Sequence, residues 1–178
     1  MIGKRIRYFL IVSLLGCVTL FFNPSTSFAA TSLDFALVNI KNNQVLRSTE
    51  CKDRTIVVNF FSIYCKSCIK LIPALNMTLD RFQSSKFLVV GINIDRSTKK
   101  EEIKGYIAKH QIRFPVLLDG YNLAQVHNVF MLPTVFILGL NGKIEKKSFG
   151  LSTYKKLAEE LSKLGVPLKK EQGNKSIP

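Results

Sequence analysis

Apolar and polar positions divide this chain into alternating strands and helices. Ile56, Val57, Val58, Phe60 and Phe61 form a nearly unbroken apolar run rich in β-branched and aromatic residues, which predicts a strand covered on both faces. A polar break over 62–67 follows, then apolar residues at Ile69, Ile72, Leu75, Leu79 and Phe82 at helical spacing. A second buried strand is predicted over 87–95, so the central unit is strand, helix, strand with a right-handed crossover. Ahead of it Leu33, Phe35 and Leu37 alternate, and Asn42-Asn43 interrupts them before 44–47, the pattern of a small antiparallel hairpin.

Further on, Thr98 and Glu101 read as a capping box, with Ile103, Tyr106, Ile107 and His110 forming one helical face. A short strand over 114–118 and a short helix over 122–128 come next. Two strands, 134–140 and 143–149, flank Asn141-Gly142, a dipeptide that tolerates the positive φ values of a hairpin turn. The last helix is predicted over 152–164, with Tyr154, Leu157, Leu161 and Leu164 inward, stopped by Gly165 and Pro167. No internal repeat and no second domain boundary interrupts this order.

Composition narrows the class. With 178 residues, 47% of them hydrophobic, the chain can bury one real core and is not a disordered protein. Residues 1–29 read as an export signal: Lys4, Arg5 and Arg7, an apolar run over 8–22, helix-breaking Asn23-Pro24, then small Ser27 and Ala29 before a cut. That run is short for a membrane span, which favours cleavage over an uncleaved N-terminal anchor. Cys17 after Leu14-Leu15-Gly16 offers lipid attachment as a minority reading, because the residues after it stay apolar where a tether would be polar. The division expected is signal 1–29, one α/β domain over 30–165 and a flexible basic tail over 166–178. Export implies a periplasmic or other extracytoplasmic compartment, where disulfides persist. The formal charge of +14 suits anionic lipid surfaces or acidic partners. The lysines are scattered and not interleaved with aromatics, so nucleic acid is not an expected partner.

The candidate chemistry sits where the first buried strand hands over to its helix. Cys65 and Cys68, three apart at a helix start, share one face and lie within bonding reach. A thiol at a helix N-terminus has its pKa drawn below about 8.5 and attacks disulfides near neutral pH. The competing readings are a static disulfide and a metal pair. Zinc would need further ligands, and Cys51, His110 and His127 stand at no recognised spacing, so no metal site is expected. Cys51 reads as a solitary thiol without catalytic role, a regulatory or intermolecular disulfide being the alternative. His110 and His127 read as packed or surface residues, and Phe60, Phe61 and Phe130 as core or groove residues.

Strand, Cys-Lys-Ser-Cys, a helix carrying Pro73, and a late Leu132-Pro133-Thr134 entering a hairpin together resemble the thioredoxin superfamily. VVNFFSIYCKSC, the insertion over 96–118 and LPTVFILGLNGKI are similar to its exported TlpA/ResA-like branch. The resemblance spans about 33–164. It implies a three-layer α/β/α fold with a central mixed sheet, an N-terminal β-hairpin and an inserted strand–helix segment. It also implies an exported thiol–disulfide oxidoreductase, acting as a reductase of protein disulfides and linked in this branch to cytochrome c maturation. Cys65 would attack and Cys68 resolve. The proline matching Pro133 is cis in the family, and Tyr64, Lys66, Leu132 and Pro133 would shape the substrate groove. Pro73 would kink the helix. Expected partners are disulfide-bearing exported proteins and a membrane or soluble thiol electron donor. No cofactor is implied beyond the cysteine pair. The alternative is a non-catalytic binding module that holds a partner in the Pro133 groove.

Three positions depart from the family pattern. Lys66 and Leu71 stand where many members carry acids, and Asn59 stands where cytoplasmic thioredoxins have a buried Asp. These departures count against the narrow role of apocytochrome c reductase. Copper-delivery relatives use a Cys-x-x-x-Cys pair, unlike this chain. Ser62 stands three before Cys65, as in peroxidase relatives, but without their Arg-bearing signature.

Overall fold

The computed structural model describes residues 31–169. In chain order the elements are β1 (Ala36–Val38), β2 (Val45–Arg47), β3 (Thr55–Phe61), α1 (Lys66–Arg81), β4 (Phe87–Asn93), α2 (Lys100–Lys109), β5 (Val116–Leu118), α3 (Leu123–Val126), β6 (Thr134–Leu138), β7 (Ile144–Phe149) and α4 (Tyr154–Lys163). β1 and β2 form the expected hairpin, and the other five strands form one sheet in the order β5-β4-β3-β6-β7. β3 pairs parallel with β4 and antiparallel with β6, which makes the sheet mixed.

β3 is the central strand, and its nearly unbroken apolar run suits that place: all seven of its residues are buried. Side chains alternate across a strand, and here the alternation feeds two apolar layers. Val57 and Phe61 pack with α1, α2 and α4. Ile56, Val58 and Phe60 pack with the hairpin, Cys51 and the short α3. The second layer is the thinner one, and Phe60 meets Phe136 edge-on there with ring centroids 5.2 Å apart.

Gly91 in β4 shows how closely the helix-side layer is packed. A Cβ at this position would come within 3.0 Å of the Phe114 ring and 3.1 Å of the Phe61 ring. Gly91→Ala is therefore expected to cost about 1–3 kcal/mol, the usual range for overpacking, read as a lowered urea midpoint with an unchanged slope.

Several local expectations need correction. The Thr98–Glu101 capping box is not formed: α2 begins at Lys100 with Lys99 as its cap and no side-chain cap bond. The Thr98 hydroxyl lies instead 3.3 Å from the Tyr64 hydroxyl. Strand β6 stops at Leu138, so Asn141 and Gly142, both at positive φ, sit inside a longer connection closed by Gly139 N–H donating to the Lys143 carbonyl at 2.8 Å. Leu164 is not inward; α4 ends at Lys163, and Leu164 is 37% exposed. Gly165, at φ 72°, turns the chain so that Val166 takes the buried place.

That turn also changes the picture of the tail. Gln83 N–H donates to the Pro167 carbonyl at 3.0 Å, and Lys169 N–H to the Arg81 carbonyl at 2.8 Å. Leu168 bridges Phe82. Residues 166–169 are thus bonded to the end of α1 rather than free, because the apolar Val166 and the open end of α1 both find partners there. Residues 170–178, and the signal segment 1–29, lie outside the described residues. Among the described residues no helix is long and apolar enough to cross a membrane.

Candidate active site

At the C-terminal end of β3 the chain makes a short, fully tied loop into α1. Ile63 N–H donates to Asp95 Oδ2 at 2.8 Å, and Tyr64 N–H to the Ser62 hydroxyl at 3.1 Å. Asp95 is itself held by the buried Asn93, whose Nδ2 donates to the same carboxylate oxygen at 2.8 Å. The end of β4 thereby fixes the approach to the first cysteine.

Cys65 is the N-cap of α1, partly buried, and its Sγ accepts the Cys68 N–H at 3.1 Å. Cys68 is fully buried. The two form a disulfide with Cα atoms 5.3 Å apart. A sixteen-residue helix starting at Lys66 presents unpaired N–H groups and a positive dipole end to Cys65, which favours its anionic form. Its first turn holds no acid, so nothing there opposes that preference. Lys66 is exposed beside it.

The two halves of the site, far apart in sequence, meet through Ser67. Its hydroxyl lies 3.2 Å from Cys65 Sγ and donates to the Leu132 carbonyl at 3.3 Å. The Leu132–Pro133 peptide bond is cis, Pro133 is buried, and its carbonyl accepts Gly150 N–H at 2.8 Å. Leu132 packs against both apolar layers. Around this junction stand bare apolar side chains: Tyr64 is 71% exposed, Met131 57% and Phe130 85%. Phe130 therefore belongs to the rim, not to the core that holds Phe60 and Phe61.

Asn59 lies on β3 in register with Gly91, buried, and its Oδ1 has no hydrogen-bond partner. By strand alternation it shares the helix-side face with Val57 and Phe61, the layer that also contains Cys68. Pro73 lies on the exposed side of α1, which continues through it as one helix. Leu71, one turn below Cys68, is fully buried. The Tyr106 hydroxyl is also buried without a partner, and burial, with the nearby Asp95 charge, pushes it above the ordinary tyrosine range.

The remaining candidates are not gathered at this site. Cys51 is unpaired and buried in the hairpin-side layer, with an Arg54 guanidinium nitrogen 3.6 Å from its sulfur. His110 caps the end of α2, its ring 4.5 Å from that of Tyr106. Among the described residues no three His, Cys, Asp or Glu side chains are grouped as metal ligands.

His127 is buried after α3, its ring edge-on to Phe136. Burial first, and the Lys147 ammonium second, hold it below the ordinary histidine range, with Asp34 opposing. Its folded pKa is thus lower than its unfolded one, near 6.5. The unfolded chain binds the extra proton, so this group's contribution is whole above about pH 6.5 and is lost as pH falls towards the folded pKa. His127→Phe is expected to flatten the difference in urea stability between pH 7.5 and pH 5.

Ser67 and Asp95 were not among the residues expected to matter. Ser67 lay in view inside the cysteine motif. Asp95 had a weaker signal, as a carboxylate closing the second buried strand, where neighbouring parallel strands bring their C-terminal ends together.

A helix-capping cysteine pair facing a cis-proline loop on a five-stranded mixed sheet defines a class: the chain is a thioredoxin-like thiol–disulfide oxidoreductase. Comparison with known proteins gives its family. Residues 29–147 match the model of the AhpC/TSA family, and the chain belongs to that family. It is similar to the thioredoxin-like protein YneN of Bacillus subtilis, 27% identical over 63% of this chain and 66% of that one. It is also similar to the thiol-disulfide oxidoreductase ResA of Bacillus cereus, 24% identical over 78% of this chain and 75% of that one. Among solved structures it resembles StoA from Bacillus subtilis with a TM-score of 0.61 and 23% identity, covering 74% of this chain and 97% of that one. These relatives bear out the TlpA/ResA-like resemblance within the thioredoxin superfamily.

Proposed function

We propose that this chain is exported and reduces disulfides of exported proteins through Cys65 and Cys68. The observation that carries this reading is the unequal exposure of the pair: Cys65 is partly open at the helix N-terminus, and Cys68 is sealed beneath it. The open sulfur attacks and the sealed one resolves. Cys65 thiolate attacks one sulfur of a substrate disulfide, forming a mixed disulfide and releasing the other substrate sulfur as a thiolate that takes a proton from water. Cys68 then loses its proton and attacks Cys65 Sγ, which closes the Cys65–Cys68 bond and expels the second substrate thiolate. Two electrons pass to the substrate, and an external dithiol donor must restore the pair. The dithiol is the redox group, with no further cofactor. Tyr64, Lys66, Leu132 and Pro133 line the groove that receives the substrate, as an added strand segment would pair there.

Periplasmic or other extracytoplasmic placement follows from the signal-like first 29 residues, and the basic surface suits contact with an anionic membrane. The test is insulin reduction with dithiothreitol as donor: the wild-type chain should accelerate precipitation well above the donor alone, and no acceleration would contradict the proposal. A second expectation concerns potential. The helix N-terminus, the Cys68 N–H and Lys66 all favour the thiolate, which stabilises the reduced form and makes the pair more oxidising. A glutathione titration should place it above about −270 mV, the value for thioredoxin; a value at or below that contradicts the expectation.

A further inference from the structure

Among the described residues, Ser67 is the one side chain within hydrogen-bond distance of both the attacking sulfur and the cis-proline loop. Its oxygen is almost equally distant from Cys65 Sγ, at 3.2 Å, and from the Leu132 carbonyl oxygen, at 3.3 Å. A serine hydroxyl has one hydrogen to donate, and a carbonyl oxygen can only accept. With the disulfide closed, the sulfur is neutral and a weak acceptor, so the hydrogen goes to Leu132. No backbone N–H among the described residues is bonded to that carbonyl.

We propose that the Ser67 hydroxyl is a redox-linked switch: it holds the Leu132 carbonyl while the Cys65–Cys68 bond is closed, and turns to the Cys65 thiolate when that bond opens. Opening takes two electrons from a dithiol donor, which becomes a disulfide and gives up two protons. Cys65 keeps its charge as a thiolate, Cys68 takes one proton, and the other goes to solvent. The serine proton stays on its oxygen throughout. A hydrogen bond to an anion is roughly twice as strong as one between neutral groups, so the thiolate wins the shared donor. Because both acceptors already lie within reach, the swap needs only rotation of the hydroxyl, with no backbone movement. It leaves the Leu132 carbonyl free to accept from a backbone N–H of an extended substrate segment. The reduced protein then binds such segments better than the oxidised one, and closing the disulfide helps to release the product. This rests on the reading of Cys65 as the exchanging thiolate, and it adds the substrate feature the groove selects.

The experiment compares wild type with Ser67→Ala and Ser67→Thr in the full chain. The pH dependence of Cys65 alkylation by iodoacetamide, read by peptide mass, gives its thiolate midpoint. Ser67→Ala should raise that midpoint by about one unit or more, the worth of a hydrogen bond to a charged group, and Ser67→Thr should restore it. The glutathione equilibrium of the pair should move about tenfold towards the disulfide in Ser67→Ala, about 30 mV more reducing. For the carbonyl, the probe is insulin B chain with carbamidomethylated cysteines. Reduced wild type should bind it several-fold more tightly than oxidised wild type, and Ser67→Ala should lose the difference. A loosened loop alone would lower the melting temperature without this pattern and without rescue by threonine. An unchanged midpoint in Ser67→Ala, or a binding ratio kept in that variant, overturns the switch. If wild type fails to reduce insulin while the midpoint still shifts, the proposed function falls and the thiolate half of the switch stands. If wild type is active and the midpoint does not move, the reverse holds.

Discussion

Cys65→Ser should bring insulin reduction down to the rate of the donor alone, whereas Cys68→Ser should fail later and differently. The first variant lacks the only partly open sulfur of the pair, and an alcohol does not replace a thiolate as nucleophile near neutral pH. The second keeps Cys65 at the N-terminus of α1, but the sulfur that resolves the mixed disulfide is gone. Mixed as the reduced chain with insulin in the absence of dithiothreitol, it should therefore accumulate substrate covalently on Cys65, one adduct per chain, visible on a non-reducing gel and cleared when dithiothreitol is added. Cys51→Ala should leave the rate unchanged, since Cys51 sits in the hairpin-side layer, apart from the pair. Equal turnover in wild type and Cys65→Ser would instead favour a binding module that uses the groove without chemistry.

Leu71 carries the largest expected effect on stability. It is fully buried one turn below Cys68, inside the layer that joins α1 to the sheet. Leu71→Ala should cost about 2–5 kcal/mol, the transfer loss plus a residual cavity, a large part of the roughly 5–15 kcal/mol that holds a domain of this size together. Leu71→Glu installs an acid at this position, where it meets hydrocarbon. Burial raises a carboxyl's folded pKa above its unfolded value of about 4.3. The folded state then binds the extra proton, so stability falls as pH rises from about 4.3 to the raised pKa. Urea midpoints at pH 5 and pH 7.5 should show this loss on going to the higher pH, the opposite direction to the His127 contribution.

How far such features could be read in advance depends on whether their cause is local. β3 and α1 were legible because an unbroken apolar run and a 3.6-residue apolar period each state their own burial, and the cysteine pair falls at their junction. The hairpin, the insertion and the last helix followed in the same way. The capping box at Thr98 failed because its hydroxyl is engaged by Tyr64, 34 residues away. Val166 takes the buried place expected of Leu164 because α4 stops one residue short of the apolar period's last step. Cys51 sits among polar neighbours in sequence and is buried only because the hairpin layer covers it. The Ser67–Leu132 bond spans 65 residues and depends on where β6 lies against β3, which no local pattern states. Asn59 was legible as buried, from its place in an apolar run, but not as unpartnered.

The most direct test counts thiols during a single turnover. Reduced wild-type chain is mixed with insulin, quenched in acid, alkylated and read by peptide mass. Cys65 and Cys68 should lose their thiols together, joined to each other, in a one-to-one ratio with insulin disulfides opened, while Cys51 stays alkylatable. Insulin opened with both thiols still free, or left intact by a fully reduced pair, would contradict exchange through these two sulfurs.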